Sequence, residues 1–203
     1  MREVAPTRSA AIELADERRL MRQGYQFLDE KRTLLAAEML RQLKVYRTRT
    51  DTLTQATHDA TAALAAAVER HGLGPLQLYP VPAAPSQPAP QRSLFLGLAM
   101  LTAQDVTSAE PADATAAVDA SPEAKACRAA FEKLTSLAAD IAARAGNLER
   151  LAREYKRTER RAQALEKVLL PEVEDAMRRV DEQLDTMERE ETIRTRWSGR
   201  KAD

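Results

Sequence analysis

A single cysteine, Cys127, stands in the whole chain. That excludes an internal disulfide and any metal site built on clustered thiolates. Aromatic residues are scarce, with three Phe, four Tyr and one Trp, or 4% of 203 residues. They are too few to fill a β-sandwich or a large globular core. Neither sign of charge is in excess, because 31 Lys and Arg balance 31 Asp and Glu. A general nucleic-acid binder draws its affinity from a basic excess, so no nucleic-acid partner is expected. No apolar run approaches the roughly 20 residues that span a bilayer. The opening MREVAPTRSA also lacks the apolar core of a secretory signal. The expectation is a soluble cytoplasmic protein with no direct membrane insertion. The six glycines are scattered and make no phosphate-cradling loop. His58 and His71 have no acidic or Cys partners at ligand spacing. Cys127 falls on an apolar stripe and reads as a small core residue rather than a nucleophile. The expected catalytic, cofactor-binding and metal residues are therefore none, and the chain is read as non-catalytic.

What the chain has is alanine, leucine, glutamate and arginine, the composition of long helices and coiled coils. Proline divides it: eight of ten prolines lie between Pro75 and Pro122. Residues 8–70 and 123–197 are nearly free of this helix breaker and are read as two helical arms. Between them lies a proline-rich middle, 71–122, and after them a tail, 198–203. In the first arm Leu14, Met21, Leu28 and Leu35 are each seven apart, with Leu20, Phe27 and Leu34 as a second row beside them. This predicts a wide apolar face. In the second arm Cys127, Phe131, Leu134, Ala138, Ile141, Ala145, Leu148, Ala152 and Tyr155 alternate in steps of four and three. The register then shifts, and the steps run four and four from Leu169 through Val173 to Met177, before Val180 and Leu184 resume the heptad. Such an insertion locally unwinds a left-handed coil.

Neither arm can leave its stripe in water, and the middle segment reverses the chain. The predicted architecture is therefore predominantly all-α: a long antiparallel two-helix coiled coil with a small, partly ordered proline-rich head. At ~1.5 Å per residue the arms would be about 95 and 110 Å long, which is a rod. In the head, LQLYPV (76–81) and SLFLGLAM (93–100) are short apolar runs with room for a small β-hairpin. PAAPSQPAP between them reads as a loop or polyproline-like segment, and 102–122 as flexible. Pro171 falls inside the second apolar pattern, which runs straight through it. A continuing helix with a kink there is the expectation.

Charges band along the arms. Arg41, Lys44, Arg47 and Arg49 on the first, and Arg150, Arg153, Lys156, Arg157, Arg160 and Arg161 on the second, make a basic belt. Interleaved glutamates favour a solvated belt with internal pairs over a belt for an acidic partner. Residues 172–191 hold nine acidic residues against three arginines, and Arg194, Arg196, Arg200 and Lys201 surround Trp197. Such banding suits several partners at different heights.

Two stretches carry a family resemblance. PTRSAAIELADERRLMRQGYQFLDEKRTLL (6–35) resembles the N-terminal arm of the D subunits of V-type, including archaeal and bacterial A/V-type, ATPases. The matching residues are Pro6, Thr7, Arg8, Gly24, Leu28, Lys31 and Arg32. KRTERRAQALEKVLLPEVEDAMRRVDEQLDTMERE (156–190) resembles that family's second motif through Thr158, Arg160, Arg161, Ala164, Leu165, Glu166, Pro171, Glu188, Arg189 and Glu190. The family's Val-Asn pair is Ala162-Gln163 here, and the tail RTRWSGRK differs. The resemblance implies a non-catalytic central-stalk rotor shaft. It would carry torque between a catalytic hexamer and a membrane ring that moves protons or sodium. The partners implied are the catalytic and non-catalytic nucleotide-binding subunits of the hexamer, a small F-type stalk subunit, and the funnel subunit above the ring. The location implied is cytoplasmic, peripheral to the membrane through the complex. On this reading Leu14, Met21, Leu28, Leu35, Leu165, Leu169, Val173 and Val180 form the coil core. Arg8, Arg160, Arg161, Arg189, Arg194 and Arg196 are the candidates for partner contacts. The competing class is a free-standing helical-hairpin tether or chaperone-like protein.

Overall fold

A computed structural model describes residues 5–77, 91–103 and 121–199. The readings of PAAPSQPAP, of 104–120, and of Arg200 and Lys201 lie outside the described residues. Helix α1 runs Arg8–His71 and a short α2 Leu73–Gln77. Strands β1 (Gln91–Phe95) and β2 (Leu98–Thr102) follow. Then come α3 (Pro122–Ala164), a π turn (Leu165–Leu169) and α4 (Leu170–Gly199). The chain is predominantly α-helical and falls into two units: residues up to Leu34 with those from Glu154 onward, and Leu35–Arg153.

Each helix boundary has a local cause. Thr7 caps α1: its Oγ1 accepts from the Ala10 N–H at 3.1 Å and its carbonyl from the Ala11 N–H at 3.1 Å. At the other end Gly72 takes φ 73°, open to glycine without strain, and its N–H donates to the Val68 carbonyl at 2.8 Å. Ser121 caps α3, its Oγ accepting from the Ala124 N–H at 3.1 Å. Pro122 then fills the first helical position, where no N–H is needed.

In the first unit Leu14 of α1 and Val173, Ala176 and Val180 of α4 form a buried cluster. Ala11, Met21, Met177 and Leu184 pack against it. Ion pairs Arg8–Glu188 (2.8 Å), Arg22–Glu174 (2.8 Å) and Lys31–Glu154 (2.7 Å) run up one helix and down the other, so the pairing is antiparallel. In the second unit Arg49–Asp140 (3.4 Å) and Arg70–Glu123 (3.1 Å) set the same antiparallel sense for α1 and α3. There Leu35 and Leu151 are fully buried, as are the small Ala60 and Ala67.

One expectation changes, and another gains its register. The row Leu20, Phe27, Leu34 does not extend the covered face: these side chains are 69, 64 and 51% exposed. In its unit α1 packs on one long neighbour, and the row lies more than 100° round the helix from Leu14. The expected head hairpin is present, while 78–81 of the first apolar run lie outside the described residues. It forms within 91–102, with Gln91 opposite Thr102 and Phe95 opposite Leu98, while Leu76 and Gln77 end α2. Leu96 and Gly97, both at positive φ (50° and 82°), make the two-residue turn that matches strand twist.

Burial separates the two rows in a test. Leu35→Ala should cost about 2–4 kcal/mol, whereas Phe27→Ala should stay within about 0.5 kcal/mol. Urea unfolding of the full chain reads both.

Candidate partner-contact surface

In the first unit the ion pairs among described residues use Arg8, Arg19, Arg22, Lys31, Arg32 and Arg178. Arg160, Arg161, Arg189, Arg194 and Arg196 are in none of them, and all five are exposed. Arg8 is exposed too, but its guanidinium is engaged by Glu188. An unpaired arginine at a surface keeps five donors available for a carboxylate elsewhere. Of these arginines, Arg161 acts on Glu154. The Glu154 carboxyl is held below the usual glutamate range, first by the hydrogen bond from Lys31 Nζ, with Arg157 and Arg161 adding through space. Lys31 and Glu154 are both largely buried. Their pair therefore feels less solvent screening than the exposed ones.

The core candidates fall at different depths. Leu14, Val173 and Val180 are buried in the cluster described above, and Met21 packs on it. Leu35 is fully buried in the other unit. Leu28 and Leu165 are half-buried, and Leu169 is 38% exposed.

Pro171 follows directly on the π turn, in which the Leu170 N–H donates to the Leu165 carbonyl five residues back. In a regular α-helix the proline ring would press on the carbonyl four residues before it. Widening the preceding turn relieves that crowding. The turn carries Glu166, whose negative charge near Tyr25 of α1, with burial adding, raises the Tyr25 hydroxyl above the usual tyrosine range. The step of four and four in the apolar pattern falls just after this turn.

In the second unit much of the basic belt is tied internally. Arg41 forks onto Glu38 through Nε and Nη2 at 2.7 and 2.6 Å, holding the Glu38 carboxyl below its usual range. Arg49 pairs with Asp140 and Arg153 with Glu149. The residue that sequence reading passes over is Asn147, only 4% exposed inside α3. Its Nδ2 donates to the Leu101 carbonyl at 2.7 Å, and its Oδ1 accepts from the Leu101 N–H at 2.8 Å. The amide thus mimics a third strand and clamps β2 onto the helix. Oδ1 also accepts from Arg150 Nη2 at 2.7 Å, which fixes which way round the amide sits. Beside the clamp, Glu38, Gln42, Asp140, Arg144 and the hairpin line an open cavity of about 250 Å³. Asn147 falls between Ala145 and Leu148, off the apolar stripe read from the sequence, so the side-chain pattern gave no signal for it.

Among the described residues no group of three or more His, Cys, Asp or Glu could hold a metal ion. Residues 10–199 match the family of ATP synthase D subunits. The V-type ATP synthase D subunit of Thermotoga neapolitana is 26% identical, over 94% of this chain and 94% of its own length. That of Anaeromyxobacter sp. (strain K) is 27% identical over 97% of this chain and 95% of its own length. The A-type ATP synthase D subunit of Thermococcus gammatolerans is 38% identical over 77 residues, 38% of this chain and 36% of its own length.

Two outcomes follow from the geometry. Asn147→Ala strands the Leu101 N–H and carbonyl and should cost about 1–3 kcal/mol. The loss should appear as faster amide exchange at Leu101 while the helices stay protected. Glu154→Gln should lower stability by about 1 kcal/mol near pH 7. A carboxyl with a lowered folded-state pKa contributes stability above its unfolded value, lost as pH falls through the folded one. The gap between variant and wild type should therefore close as pH falls below about 4, followed by thermal unfolding across pH.

Proposed function

The chain belongs to the family of ATP synthase D subunits, and from that premise we propose that it is the central-stalk rotor of a V/A-type ATPase. In this role it carries torque between a nucleotide-binding hexamer and a membrane ring that translocates ions. The observation that carries the reading is end-to-end likeness to proteins of that name, rather than likeness of one helix-rich piece. The partners are the catalytic and non-catalytic nucleotide-binding subunits, a small F-type stalk subunit and the funnel subunit above the ring. Catalysis belongs to the nucleotide-binding subunits, and this chain supplies shape and charge.

The physical features support that role. An antiparallel pair of helices, as in each unit, has no threefold symmetry, so three surrounding catalytic sites would meet different faces. Arg160, Arg161, Arg189, Arg194 and Arg196, exposed and in no ion pair among the described residues, offer positive charge to acidic loops. Exposed charge of this kind guides encounter and alignment more than it adds affinity. Among the described residues no helix is long and apolar enough to cross a membrane. That suits a cytoplasmic shaft held at the membrane by its complex.

The test is a mild pull-down of the tagged chain from its native membrane fraction, with wild type beside Arg160→Glu/Arg161→Glu. Wild type should bring down two large nucleotide-binding chains and a small one, with ATPase activity. The double variant should keep its far-UV helicity and weaken assembly about tenfold or more, roughly 1.4 kcal/mol. Unchanged assembly would make the two arginines solvated surface only. Recovery of wild type alone, or with unrelated clients, would favour a helical-hairpin tether.

A further inference from the structure

Residues 48–61 of α1, in the second unit, read TRTDTLTQATHDAT and hold six threonines. Threonine is a poor residue for a helix interior, because its branched Cβ crowds the preceding turn. Here each of the six also turns its hydroxyl back on its own helix. Thr48 donates to the Lys44 carbonyl (3.2 Å), Thr50 to Tyr46 (2.9 Å), Thr52 to Thr48 (2.9 Å) and Thr54 to Thr50 (3.1 Å). Thr57 donates to Leu53 and Thr61 to His58, both at 2.8 Å. Such back-bonding shares carbonyls that the helix needs for its own N–H groups, and it loosens and bends helices. Thr48 and Thr50 are about 200° apart round the helix, so the effect is not confined to one side.

Packing does not make up the deficit. In this segment only Ala56 and Ala60 are buried, each offering one methyl, and Leu53 is half-buried. Among the described residues a single ion pair, Arg49–Asp140 at 3.4 Å, ties it to α3. On one side of the segment, the same unit has Leu35 fully buried and Gln42 nearly so. On the other, the helix end is held by buried Ala67, the Gly72 cap, and Arg70–Glu123 at 3.1 Å. His71 Nε2 also lies 2.6 Å from Ser121 Oγ. Weak propensity, competing hydrogen bonds and thin burial thus coincide between two anchored points.

We propose that residues 48–61 are a compliant segment of α1, opening locally far more readily than the helix that flanks it in the same unit. Because both ends are anchored, an opening there lets the helix bend or twist without unravelling from a terminus. The proposal does not rest on the shaft reading and holds whatever complex the chain joins.

Native-state hydrogen exchange of the full chain, followed by mass spectrometry, tests it. Amides 50–61 should show protection about tenfold or more below those of 38–46. Thr48→Ala/Thr50→Ala/Thr52→Ala/Thr54→Ala should slow their exchange by about tenfold to thirtyfold. Alanine is the better helix former, so the variant folds. The same four changed to valine keep the branched Cβ and lose the hydroxyl, so they separate back-bonding from propensity. An intermediate slowing in the valine variant supports both causes. Uniform protection from 38 to 67 in wild type overturns the proposal. So does exchange unaltered by the four alanines.

Discussion

A helix packed on a single neighbour can hide only about 100° of its circumference. In each unit of this chain α1 has one long neighbour. The first unit spends that stripe on Leu14 and Met21 against Val173, Ala176 and Val180. The second spends it on Leu35 and on alanines. Among the described residues no third layer receives Leu20, Phe27 and Leu34, and they stay in water. The same limit leaves many charged side chains exposed. Their ion pairs then set helix direction more than they add stability.

Where burial is thin, polar groups take on the work of specification. Lys31–Glu154 is a partly buried charge pair in the first unit. Asn147 does the equivalent for the second, where an apolar residue could not have distinguished one docking position of the hairpin from the next. One amide reads both the N–H and the carbonyl of Leu101. A shift of β2 by one residue would present the opposite face of the strand and break both bonds.

The parts of the fold legible in sequence were those set by period and by local chemistry. Seven-residue spacing through Leu14 and Met21 marked a helix, and both pack in the first unit's core. Pro6 and Pro122 lie at the starts of the two proline-poor arms, and the Thr7 and Ser121 caps beside them come from the structure. The rest depended on which neighbours exist. Spacing places Leu20, Phe27 and Leu34 on a helix but does not say whether anything covers them. The hairpin was sought between two apolar runs, whereas its turn at Leu96-Gly97 lay inside the second run. Asn147 carried no signal as a contact residue, because its role is to bind a backbone, and a backbone leaves no mark on side-chain pattern. For the arginines, position was legible, and pairing needed the partner helix.

The π turn has an effect on how chain length is tolerated. An α-helix that gains or loses one residue rotates everything beyond that point by about 100°. In the regular helix on either side of the turn, such a change ahead of Val173 would swing Val173, Ala176 and Val180 away from Leu14. Leu165–Leu169 already houses one residue more than an α-helical turn holds. Removing one there would return the turn to ordinary winding and leave the downstream face where it is, at the expense of the room made for the Pro171 ring. The turn therefore acts as a phase buffer: a stretch of the arm where the chain can shorten by a residue with its core still in register.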